Sequence, residues 1–125
     1  TPLFPYLLSY EGEGRSERVL RQIEADLPRY CVEQNDLLVP LRYLNTHPGE
    51  SDAIICAALE SIFDLPRGIA CGIVDDWGPE FITPAIRRSL IKARQLSNND
   101  VVTARIDCLL AGKHFDIGKF LNKRK

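Results

Sequence analysis

Helix start and stop signals recur so closely in this sequence that only short elements fit between them. Ser16 caps a helix that runs to about Leu27 and is stopped by Pro28. Leu20, Ile23 and Leu27 at i, i+3, i+7 give it a buried face, with Glu17, Arg18 and Arg21 toward water. Ser51 caps a second helix, expected over 52–64, with Asp52 at its positive end and Pro66 as its stop. Ile55, Leu59 and Ile62 form its core stripe, widened by Phe63. The third start is the most complete, with Thr83 as N-cap and Pro84 at the first helical position. That helix extends over 84–96 and buries Ile86, Leu90 and Ala93.

Asn98-Asn99-Asp100 ends it and caps a fourth helix over 101–111, closed by Gly112. Val102, Ile106, Leu109 and Leu110 are its apolar face. Alternation from Val102 to Leu110 also fits a strand, but the Asp100 cap and Gly112 bracket a helical length. A fifth amphipathic piece, 116–124, sets Ile117, Phe120 and Leu121 on one side. Between these, Leu37, Leu41 and Leu44 fit a helical stripe that Pro40 interrupts, so 36–44 is either a helix from Pro40 or an extended segment. Residues 69–74 read as a short strand or a buried crossing loop, and 5–10 as a short strand or extended arm. Thr46-His47-Pro48-Gly49 is a loop.

At 125 residues and 45% apolar content the chain suits one soluble helical domain. The expected fold is an all-α bundle of about five helices, with Ile23, Leu59, Ile62, Leu90, Ile106 and Leu109 in its core. An extended arm (1–15) precedes an acidic part (16–82) and a basic helical part (83–125). No apolar run approaches the roughly 18 residues of a membrane span, so no membrane partner is expected. The N-terminus does not resemble a signal peptide. A first residue of Thr1 and a lack of methionine suggest processing, trimming or a fragment of a longer chain.

A formal net charge of −1 conceals strong segregation. Residues 1–82 carry six basic and fourteen acidic residues, a net of −8, whereas 83–125 carry ten basic and three acidic, a net of +7. Such asymmetry points to an anionic partner for the basic part, or to neutralisation within the fold. Arg87, Arg88, Lys92 and Arg94 share the 84–96 helix, and Lys123, Arg124 and Lys125 form an outer arm. Arg88 and Lys92 are an i, i+4 like-charge pair, which costs a few tenths of a kcal/mol, on the order of the usual helical value. An acidic protein surface or a nucleic acid would relieve that repulsion. Opposite charges on one chain also permit a salt-sensitive, head-to-tail homo-oligomer.

Cys31, Cys56, Cys71 and Cys108 include no C-x-x-C pair and read as reduced structural residues, which suits an intracellular setting, cytoplasmic or nuclear. No metal site or cofactor is expected. Gly12-x-Gly14 lacks the third glycine of a dinucleotide fingerprint, Glu17 standing there, and no phosphate-binding loop follows. Asp75-Asp76 before Trp77 reads as a solvated turn rather than a metal site. Cys71, the most accessible-looking cysteine, with His114 as base and Asp107 or Asp116 to orient it, is a candidate nucleophilic pair, although any four cysteines and two histidines yield some such combination. The leading reading is therefore a non-catalytic interaction domain whose basic C-terminal helices bind an acidic protein or nucleic acid. A nucleic-acid-binding regulator and a small cysteine enzyme are the alternatives.

Overall fold

Seven α-helices make up most of residues 15–123, the part of the chain that the computed structural model describes. They are α1 (Arg15–Ala25), α2 (Leu38–Asn45), α3 (Asp52–Leu59), α4 (Asp64–Trp77), α5 (Pro84–Leu96), α6 (Asp100–Leu110) and α7 (Ile117–Lys123). Short 3₁₀ turns at Leu27–Tyr30 and Pro79–Phe81 complete the order. No strand occurs among the described residues, and the fold is all-α. The expected arm and strand within 1–14 lie outside those residues.

Several expectations need correction. The helix expected over 52–64 ends at Leu59, and Pro66 begins the next helix instead of stopping the last. A proline in the first helical turn loses no hydrogen bond, because the N–H groups there have no intrahelical acceptor. Asp64 at the start of α4 suits its positive end. Residues 69–74, expected as a strand or crossing loop, therefore lie in the middle of α4, the longest helix among those described. Pro40 behaves similarly in the first turn of α2, which starts at Leu38 rather than at Pro40 and follows a turn at Asp36 and Leu37.

The second correction concerns Ile62. It was expected in the core, but it follows the break after α3 and is 80% exposed. The chain turns at Glu60–Phe63, where Ser61 Oγ accepts from the Phe63 amide at 3.0 Å. Buried Arg67 secures this turn: its Nη1 donates to the Ser61 carbonyl at 2.6 Å and its Nε to Ser97 Oγ at 3.1 Å. Its Nη2 also reaches Asp64.

The remaining expected core residues, Ile23, Leu59, Leu90, Ile106 and Leu109, are all buried. One apolar cluster draws on α1 through α6. Within it α4 packs against α2, α3 and α6, while α3 also packs on α5. Trp77 Nε1 donates to the Leu44 carbonyl at 2.8 Å and ties the end of α4 to α2. The expected stripe on α7 is not a core face: Ile117 and Leu121 are exposed, and Phe115, just before that helix, is the buried anchor. Among the described residues, no helix is long and apolar enough to cross a membrane.

Candidate functional site

The position of α5 is set first by its cap, where Thr83 Oγ1 accepts from the Ile86 amide at 3.2 Å. Ile86, Ser89, Leu90 and Ala93 then turn inward. Their burial leaves Arg87, Arg88, Lys92 and Arg94 on the outer face, all exposed, around an Ile91 that is 45% exposed. The sequence of this helix contains no acidic residue. The four inner residues predicted as a binding set thus share one surface.

Carboxylates stand at both edges of that surface. Toward α6, Arg94 Nε and Nη2 donate to Asp107 Oδ1 and Oδ2 at 2.6 and 3.2 Å. This bidentate pairing raises the Arg94 pKa above its ordinary value. Arg87 Nη1 donates to the Leu110 carbonyl at 3.1 Å, near the negative end of α6. Toward α3, Lys92 Nζ lies 3.1 Å from Glu60 Oε1, and Ser89 Oγ donates to Glu60 Oε2 at 2.7 Å. The Ser89 hydrogen bond, aided by Lys92 and opposed by burial, holds the Glu60 carboxyl below its ordinary range. Among the described residues, the Arg88 guanidinium has no carboxylate or hydrogen-bonding partner. Lys123 closes α7, while Arg124 and Lys125 lie outside the described residues.

A second polar cluster is not where the sequence suggested. Asp75, expected in a solvated turn, is buried on α4, and only Asp76 faces solvent. Arg105 Nε lies 3.6 Å from Asp75 Oδ2, and His114 Nδ1 lies 2.9 Å from Oδ1, out of line for a hydrogen bond. The Phe115 ring sits 5.3 Å from the Arg105 guanidinium carbon. Cys71, read as the most accessible cysteine, is wholly buried one turn before Asp75. Burial pushes its thiol up to about 12, against the opposing pull of Arg105 and Arg67. A thiol so held stays protonated at neutral pH, and the imidazole meant to activate it is turned to Asp75.

Asp107 and Asp116, the two carboxylates expected to orient His114, are engaged elsewhere. The first pairs with Arg94, and Asp116 Oδ1 accepts from the Lys119 amide. Sequence reasoning passed over Arg105, whose one available signal was a cation beside Ile106 in the largely apolar sequence of α6. Among the described residues, no three His, Cys, Asp or Glu side chains converge as metal ligands. Comparison with protein-family models, with curated proteins and with solved structures gives no match.

Proposed function

We propose that the chain is a non-catalytic docking module that binds an acidic protein segment through the outer face of α5. The observation carrying this reading is the surface of Arg87, Arg88, Lys92 and Arg94 around exposed Ile91, with no acidic residue on the helix. Glu60 and Asp107 answer the charge of Lys92 and Arg94 at the edges. Arg88 is left for a partner, together with whatever donors of Arg87 the Leu110 carbonyl does not use. An apolar centre ringed by cations suits a segment that alternates acidic and aliphatic side chains.

Nucleic acid is the less favoured partner. The face offers no aromatic platform for bases, since Phe115 is buried and Phe120 packs against it at 5.9 Å between centroids. The carboxylates at both edges would also repel a phosphate backbone. Four free cysteines support placing the protein in a reducing, intracellular compartment. The cysteine-enzyme alternative would require Cys71 to leave its buried position and ionise, against the direction of its pKa.

Fluorescence anisotropy with a labelled Glu/Leu-rich peptide and with a labelled DNA duplex, each at low and high salt, tests the reading. Replacing Arg88 and Lys92 together by Gln should weaken peptide binding ~10-fold, about 1.4 kcal/mol, with the melting temperature nearly unchanged. Tighter binding of the duplex, with a steep linear fall of log affinity against log salt, would assign the face to nucleic acid instead. No binding of either would remove this role from α5.

A further inference from the structure

Away from the α5 surface, a cavity of about 910 Å³ opens to solvent between α4, α6 and the turn that follows α3. We infer that it is a binding site for a monocarboxylate with an apolar body, held by Arg105. This inference rests on residues separate from the α5 face and does not depend on its role.

The floor is bare helix. Gly68 and Gly72 lie one turn apart on α4, and a Cβ built at Gly68 would meet no atom within 4 Å. Glycine at 68 leaves open volume rather than admitting a close neighbour, although alanine would favour the helix more. The walls are Ile62, Phe63, Leu65, Ile69 and Val102. Two of these large aliphatics, Ile62 at 80% and Leu65 at 42%, are exposed at the cavity. A bound apolar body would cover them, and withdrawing their apolar surface from water favours binding.

Arg105 supplies the charge. Asp75 faces its Nε and the Phe115 ring flanks its guanidinium, so the group is fixed from behind. Its Nη1 lies 3.4 Å from the Cβ position of Gly72, directly over the floor. Among the described residues neither Nη nitrogen has an acceptor. A planar fork fixed in this way matches the two oxygens of a carboxylate. The remaining charges at the cavity argue for a single negative charge over a phosphate dianion. Arg105 is already partly balanced by Asp75, and Asp64 at the rim is taken by Arg67.

Calorimetric titration of the full chain with octanoate, octanol and acetate tests the site. A peptide ending in leucine, as free acid and as amide, separates a fatty acid from a chain terminus as the source of the carboxylate. Octanoate or the peptide acid should bind at least ~10-fold more tightly than octanol or the amide, and acetate should not bind measurably. Gly68→Leu sets its Cβ in open space and its side chain into the cavity, so it should abolish binding while the melting temperature is retained. Arg105→Lys keeps the charge facing Asp75 but loses the fork, and should weaken binding ~10-fold. Equal affinity for octanol and octanoate, unaltered binding by Gly68→Leu, or no binding of either acid would overturn the proposal.

Discussion

Glu60 joins α3 to α5 through two contacts of one carboxylate, with Ser89 donating to Oε2 and Lys92 beside Oε1. Because these hold its folded pKa below the ordinary 4.5, the ionised form favours the folded state. The contribution is present above the unfolded value and is lost as pH falls through the folded one. Denaturant titrations of the wild type and Glu60→Gln should therefore differ at neutral pH and converge as pH falls below the ordinary glutamate range. A difference that is constant with pH would show that the charge is not what matters. One residue earlier and two later, burial decides the outcome. Leu59 is wholly enclosed, so Leu59→Ala should cost roughly 2–5 kcal/mol by chemical denaturation. Ile62→Ala should stay within about 0.5 kcal/mol, since its side chain is largely in water.

At the scale of elements, the sequence placed best the starts of the helices that carry side-chain caps, though not the end of α3. Thr83 caps α5, and Asn99 Oδ1 accepts from the Val101 and Val102 amides at 2.8 and 3.2 Å to start α6. Thr83→Ala and Asn99→Ala should each cost about 0.5–2 kcal/mol in thermal or denaturant unfolding, whereas Glu17→Ala, exposed in α1, should not. Gly112, at a φ of 72°, closes α6 while the Lys113 amide donates back to the Cys108 carbonyl at 2.8 Å. These signals are local, so they were legible without knowledge of the fold. The start of α4 was not legible in the same way. It has Phe63 at the cap position and no side-chain cap, and Pro66 is compatible with ending one helix or opening another. What decides between them is buried Arg67, which reaches Ser61, Asp64 and Ser97, a partnership set by tertiary packing. The α7 stripe failed for a related reason: helical period identifies an apolar side, but only a neighbouring element can bury it.

For the whole molecule, charge that is segregated along the sequence is partly rejoined in space. Lys92 meets Glu60, and both Arg105 and His114 meet Asp75, so the basic part closes onto the acidic part within one chain. The grouping of Arg87, Arg88, Lys92 and Arg94 on one face was readable from helical spacing. Their carboxylate neighbours were not, because Glu60 comes from another helix end and Asp107 from the next helix. The Asp75, Arg105 and His114 cluster was hidden for the same reason, its members lying far apart in sequence. This internal pairing bears on self-association. Head-to-tail contacts between copies would have to draw on Lys92 and Arg94, which already have carboxylates in their own chain, or on Arg88 and on Arg87, which meets only the Leu110 carbonyl. Each exposed ion pair is worth at most about 1 kcal/mol, so the pairs these two could form are far too little to hold a dimer at micromolar concentration. Sedimentation velocity at low and at high salt should therefore give the same monomer. A mass that doubles at low salt and returns to 14.1 kDa at high salt would instead place the unpaired charge between copies and make the α5 face a self-association surface.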